Sequence, residues 1–116
     1  MINSNAIETL HHRTFESIKQ INDGGSAFWF ARDLAPLLDY PQWRNFLPVL
    51  DKARDACRQS GQHVEDHFAD MRNMVGIGSG ALRLIDDVCL SRYASYLIVQ
   101  NGDTSQPVIA NGQTYY

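Results

Sequence analysis

Residues 90–103 constrain this chain most, because they read as one helix with both a start and a stop. Ser91 stands where a side-chain oxygen can accept from an unpaired backbone N–H of the first turn. Tyr93, Tyr96, Leu97 and Gln100 recur at i, i+3, i+4 and i+7, with Ala94 beside them. Ile98 and Val99 widen the apolar surface beyond one stripe, which predicts burial on more than one side. Asn101-Gly102 ends the pattern, since Gly tolerates the left-handed conformation that closes a last turn. A short, largely apolar helix of this kind belongs in the centre of a core, and the rest of the chain must supply what surrounds it.

At 116 residues, with 44% hydrophobic and 20% charged residues, the chain suits one ordinary domain with its own core. Cys57 and Cys89 form no disulfide framework and no metal spacing, and read as reduced thiols of a cytoplasmic protein. No signal peptide is expected, and no apolar run approaches the ~20 residues a membrane helix needs.

Residues 1–13 are polar and lack a clear period, and are expected to form a flexible arm; His11 and His12 are adjacent, point apart in either regular structure, and read as solvated. Phe15, Ile18 and Ile21 fit a strand over 14–21 or a helical turn, with the strand preferred. Asn22-Asp23-Gly24-Gly25 is a hairpin-type turn, and Ala27-Phe28-Trp29-Phe30 an aromatic strand behind it. Residues 31–38 read as a helix that tolerates Pro36 only because it is short. Asp39-Tyr40-Pro41 breaks it, with Asp39 able to take a left-handed position. A second helix starts at about Gln42 and carries Phe46, Leu50, Ala53 and Cys57 on one side, Asp51, Lys52, Asp55 and Arg58 on the other. Ser60-Gly61 stops it.

Helix, tight turn, helix is the skeleton of a helix-turn-helix, whose second helix can enter a DNA major groove. Gln42, Arg44 and Asn45 would lead that helix, and Arg, Gln and Asn make paired hydrogen bonds to guanine and adenine edges. Arg32, Lys52 and Arg54 could reach phosphates. Two short helices that merely pack on a sheet would show the same pattern. The net charge of −3 opposes nucleic-acid binding, but unevenly. Over 32–58 the bases slightly outnumber the acids, whereas over 63–103 the acids dominate, so a weakly basic face can form only in the first half.

His63-Val64-Glu65-Asp66-His67 places two histidines on one helical face near a carboxylate, but lacks the H-E-x-x-H order and an obvious third ligand; it reads as a solvated turn, and no metal or cofactor is expected. Phe68 and Met71 then return to the core. Gly76, Gly78 and Gly80 lack the Lys-Ser/Thr of a phosphate loop. They fit a hairpin tip between strands near 70–75 and 82–88, a possible wing on a phosphate backbone. Asp86 and Asp87 should point to opposite faces of the second strand, so joint catalysis is not expected; their simpler role is to favour the positive start of the helix at Ser91. After Asp103 comes a polar link, Thr104-Ser105-Gln106. Pro107 then opens a further helical pattern with Val108, Ile109, Tyr115 and Tyr116 as its apolar contacts. The pattern runs off the end, as in a domain excised from a longer chain.

Several segments carry a resemblance. They are the whole of 90–103 with Gln106-Pro107-Val108-Ile109-Ala110 and Gly112-Gln113-Thr114-Tyr115, Trp43-Arg44-Asn45-Phe46-Leu47-Pro48-Val49-Leu50 with Ala53 and Ala56-Cys57, Asp66-His67-Phe68, and Met74-Val75-Gly76-Ile77-Gly78-Ser79. Together they resemble the DNA-damage-inducible protein D family, whose N-terminal region is similar to the BRO-N domain of viral and phage anti-repressors. The likeness runs from about Phe15 to the end. Asp39 departs from it, standing where the family's turn carries Gly. The resemblance implies a DNA-binding or DNA-associated module of the bacterial SOS response and a longer protein after Tyr116. It brings no catalytic residues.

The expectation is therefore an α+β fold, a small antiparallel sheet of hairpins packed on a helical core with a helix-turn-helix-like pair, forming one BRO-N-like domain over 14–116. The function expected is non-catalytic DNA binding through Arg32, Gln42, Arg44, Asn45, Lys52 and Arg54. The alternative is a module that grips a DNA-repair or repressor protein without touching DNA. An enzyme using His63, Glu65 and His67 is the least favoured reading. Membrane association is not expected, and sequence pattern alone does not give the oligomeric state.

Overall fold

A computed structural model describes residues 14–101 and 115–116. The arm over 1–13, the link at 104–106 and the helical pattern over 107–114 lie outside the described residues; its expected apolar contacts Tyr115 and Tyr116 do pack against the core. Strands β1 (Gln20–Ile21), β2 (Ala27–Phe30), β3 (Phe68–Gly76) and β4 (Leu82–Ser91) form one antiparallel sheet in the order β1-β2-β4-β3. Helices α1 (Ala31–Leu37), α2 (Trp43–Gln59), α3 (Val64–His67) and α4 (Arg92–Gln100) fill the connections. This is the mixed α+β architecture read from the sequence, with both hairpins where the glycine turns put them.

The row Trp29, Leu90, Phe68 crosses three strands in register on the buried face of the sheet. Helix α4 lies over β2 and β4 and under α2. Its cap is as expected: Ser91 Oγ accepts from the Ala94 N–H at 3.0 Å. Its apolar face is not. Tyr96 and Gln100 are exposed, and Ala94, Ser95, Leu97, Ile98 and Val99 are buried. With helix above and sheet below, burial follows the two contacts rather than a single stripe. In α2 the stripe Phe46, Leu50, Ala53, Cys57 is wholly buried, as its period predicts.

The segment 14–21 is corrected. Residues 14–17 are helical, and only Gln20–Ile21 are strand. The spacing of Phe15, Ile18 and Ile21 by threes is helical. Local bonds hold the turn, with the Lys19 N–H donating to the Glu16 carbonyl and Ser17 Oγ to the Thr14 carbonyl.

Helices α1 and α2 close in the same way. The Tyr40 N–H bonds the Ala35 carbonyl and the Asp39 N–H the Pro36 carbonyl, and Gln62 and Gly61 repeat the pair at Cys57 and Arg58. Both are six-to-one closures with a left-handed residue after the cap. Gly61 supplies it at φ 82° without cost, but in α1 it is Asp39, at φ 67°. A Cβ there is strained, less for Asp than for most residues. Asp39→Gly is expected to stabilise the domain by up to ~1 kcal/mol, read as a higher urea midpoint with unchanged slope. A lower midpoint would show that the Asp39 side chain contributes more than its backbone costs.

Candidate nucleic-acid interface

The α1–turn–α2 unit is oriented from beneath. Arg32, in the first turn of α1, donates from Nε to the Asp86 carbonyl and lays its guanidinium 4.2 Å from the Trp43 ring centroid. Trp43 in turn tilts against Phe46 at 6.0 Å, and Tyr40 packs on Phe46 from the other side at 5.4 Å. The start of α2 is thus held by an arginine, two aromatic contacts and the Schellman-type turn.

What this base holds up is open to solvent. Gln42 precedes the helix in extended conformation and makes no side-chain cap bond. Arg44 and Asn45 follow, both exposed, as is Lys52, seven residues after Asn45 and on its side of the helix. Among the described residues, neither Arg44 nor Lys52 has an ion-pair partner. The other two basic residues are committed. Arg54 is shared between Asp51 at 3.4 Å and Asp70 of β3 at 3.1 Å, and Arg32 is stacked and bonded as above. Asp51 and Asp55 lie further along the same outer side, Asp55 paired with Arg58. Arg44 is therefore an unpaired positive charge among the described residues in the first turn of α2, where the helix dipole adds to it, and Lys52 stands mid-helix between Asp51 and Asp55.

The pair Asp86-Asp87 divides as strand geometry requires, but its role is corrected. Asp86 is exposed and 3.3 Å from Arg72 Nε. Asp87 is buried, and its Oδ1 accepts from the Arg32 backbone N–H at 3.0 Å. The helix start that it serves is α1, not α4, because β4 passes beside the N-terminus of α1 and Ser91 already caps α4. Partial desolvation of the Asp33 carboxyl, and after it the nearby Asp87 charge, raise the Asp33 pKa above the usual carboxylate value.

His63 is exposed and 3.7 Å from Glu65, whereas His67 turns away, its Nδ1 2.7 Å from Ser91 Oγ and its ring against Tyr93. Among the described residues no group of His, Cys, Asp or Glu is arranged to hold a metal ion. No described helix is long and apolar enough to cross a membrane. Both thiols are free, Cys57 fully buried and Cys89 half-buried, and burial raises the pKa of each.

The β3–β4 tip is a glycine turn, as expected, flanked by exposed apolar side chains. Gly78, Ser79 and Gly80 all have positive φ and make the turn. Around them Met74, Ile77, Leu82 and Leu84 are at least half exposed. The alternation places Leu82 and Leu84 on one face; it does not show that this face is left exposed.

A DNA damage-inducible protein D of Escherichia coli (strain K12) is 54% identical to the chain over 106 residues, which is 91% of this chain and 39% of that protein. The chain therefore spans about two-fifths of that relative's length. No solved structure matches. The family described as the BRO family, N-terminal domain, matches residues 17–115, nearly the whole of the structure built above. The chain belongs to the N-terminal domain family of the BRO proteins.

Proposed function

We propose that this domain is a non-catalytic, DNA-contacting module of a bacterial DNA-damage (SOS) response protein, working in the cytoplasm. The observation that carries the reading is the open start of α2, where Gln42, Arg44 and Asn45 stand in solvent on a packed base and, among the described residues, Arg44 and Lys52 have no carboxylate partner. Membership of the BRO family and the name of the E. coli relative support it. In this reading Gln42, Arg44 and Asn45 meet base edges and Lys52 a phosphate. Arg32 and Arg54 reach phosphates only by giving up the contacts they already make, so Arg44 and Lys52 carry the larger share.

Anisotropy titration of labelled duplex and single-stranded oligonucleotides at two salt concentrations tests it. Affinity is expected to fall steeply as salt rises. Arg44→Ala should weaken binding by about 10-fold, within the 1–3 kcal/mol typical of a lost arginine contact, and Lys52→Ala should lower the salt slope by about one. Binding indifferent to salt, or to both substitutions, defeats the proposal. A second reading, capture of a DNA-repair or repressor protein without DNA contact, is favoured by the net charge of −3 and the exposed apolar tip at Met74, Ile77, Leu82 and Leu84. Nuclease-resistant retention of such a partner by a domain that fails the titration would select it.

A further inference from the structure

Strand β3 is an edge. Among the described residues it pairs with β4 on one side only, in nine consecutive, uninterrupted pairs from Phe68↔Leu90 to Gly76↔Leu82. It contains no proline and no bulge, two of the devices that keep a free edge from adding another strand. Its two charged residues are Asp70 and Arg72, whose side chains are 87% and 69% exposed on the same face.

We propose that β3 pairs antiparallel with β3 of a second copy of this chain, about a two-fold axis through Met71. The occupant follows from charge. When a strand pairs antiparallel with itself, residues whose N–H and C=O point outward must meet one another, so the axis passes through a residue, never between two. An axis at Asp70 sets Asp70 against Asp70 of the second copy. An axis at Arg72 does the same with two arginines. An axis at Asn73 or Met74 leaves both charges opposite glycine, methionine or nothing. Only the axis at Met71 sets Asp70 against Arg72 of the second copy, and it does so twice.

The rest of that register is also matched. Met74, which is 63% exposed in one copy, comes to face Phe68 of the second copy, at the margin of its core. Asn73 faces Ala69 of the second copy on the other face. The charges already present in each copy extend the match. Arg54 lies 3.1 Å from Asp70, and Arg72 3.3 Å from Asp86, so the interface completes a row of alternating sign: Arg54, Asp70, then Arg72 and Asp86 of the second copy. Opposite charges directly across a strand pair stabilise it, and like charges there destabilise it. The interface is isologous and closes on itself, giving one continuous sheet through both copies. It leaves the start of α2 unused and stands independently of the DNA reading.

The test is sedimentation of the wild type and two variants, alone and mixed. The 13.1 kDa chain should run at twice that mass. Arg72→Glu opposes Glu to Asp70 and should run as monomer. Asp70→Lys opposes Lys to Arg72 and should do likewise. An equimolar mixture of the two restores both opposite-charge pairs and should recover the doubled mass, while Arg72→Lys keeps it throughout. Unchanged circular dichroism identifies folded variants, and recovery on mixing is an outcome that misfolding cannot imitate. A wild type that stays monomeric at every concentration overturns the proposal. So does a dimer that survives both charge reversals, or a mixture that remains monomeric.

Discussion

Trp29→Ala is expected to cost about 4 kcal/mol of folding stability, within the range of about 3–5 kcal/mol for removing a fully buried large aromatic. Trp29 is wholly inaccessible and stands at the β2 end of the buried row that crosses β2, β4 and β3, directly opposite Leu90. Its ring holds three parts of the chain at once. The Nε1–H donates to the Phe15 carbonyl at 3.2 Å, fixing the helical turn at 14–17. The Tyr116 ring meets it edge-on at 5.2 Å, and Tyr115 at 6.5 Å. The Arg92 guanidinium lies 5.0 Å above it at the start of α4. Alanine would leave a cavity, remove the donor to the Phe15 carbonyl and take from Arg92 the nearer of its two aromatic faces. Trp29→Phe separates these effects, because it keeps most of the volume and loses the N–H; it should cost only about 1–2 kcal/mol. Urea titrations with constant slope read both. If alanine costs no more than phenylalanine, packing around Trp29 contributes far less than its burial implies. The typical domain has only about 5–15 kcal/mol in total, so the alanine variant should be visibly less stable.

How much of this was legible in the chain depended on whether the deciding partner was near in sequence. The face of α2 was legible because Phe46, Leu50, Ala53 and Cys57 recur against a charged opposite side, and the helix is buried on one side alone. The end of α1 was legible because Asp39 and Pro41 are local signals, and Asp39 does take the left-handed position. The orientation of α4 was not. An apolar helix between a sheet and a second helix has no polar stripe to orient it, and Tyr96 looked as well suited to the core as Ile98. The same limit governed the candidate interface. Gln42, Arg44 and Asn45 could be placed at the start of a helix from the turn before them. Which basic side chains are free could not, because the partners of Arg32 and Arg54 include Asp86 and Asp70, brought in by strands from the second half of the chain. The acidic second half looked like an objection to nucleic-acid contact; in the fold Asp70 pairs with Arg54, the Asp86 carboxylate with Arg72 of its own half, and among the described residues neither Arg44 nor Lys52 is paired.

Asp87→Ala is the second large effect expected, about 3 kcal/mol, and it follows from that long-range placement. The first N–H groups of any helix lack intrahelical acceptors. The residue before α1 is Phe30, which offers no side-chain acceptor, and the structure shows no cap bond from it. Asp87, 55 residues after Arg32 in sequence, supplies the acceptor for the Arg32 N–H instead. It is 4% exposed, and its carboxylate is fully engaged. Oδ1 takes the Arg32 N–H and, at 2.8 Å, the Val88 N–H, and Oδ2 takes Asn73 Nδ2 at 2.9 Å. Alanine strands these donors without water, and an unmet buried donor costs about 1–3 kcal/mol. Asp87→Asn should cost less, about 1–2 kcal/mol, because one oxygen still accepts and Asn73 can turn its own amide to present oxygen. Exchange of the Arg32 and Val88 amides should accelerate in Asp87→Ala more than elsewhere. Asp55→Ala, on the outer side of α2 in an exposed ion pair, is the control and should stay within about 0.5 kcal/mol of wild type. The effect should also reach the interface. Loosening the start of α1 frees Arg32, Arg32 holds Trp43, and Trp43 sets the first turn of α2, so Asp87→Ala should weaken oligonucleotide binding without touching a contact residue. An Asp87→Ala domain as stable as the Asp55→Ala control would mean that α1 begins without help from β4, and the coupling from sheet to α2 would go with it.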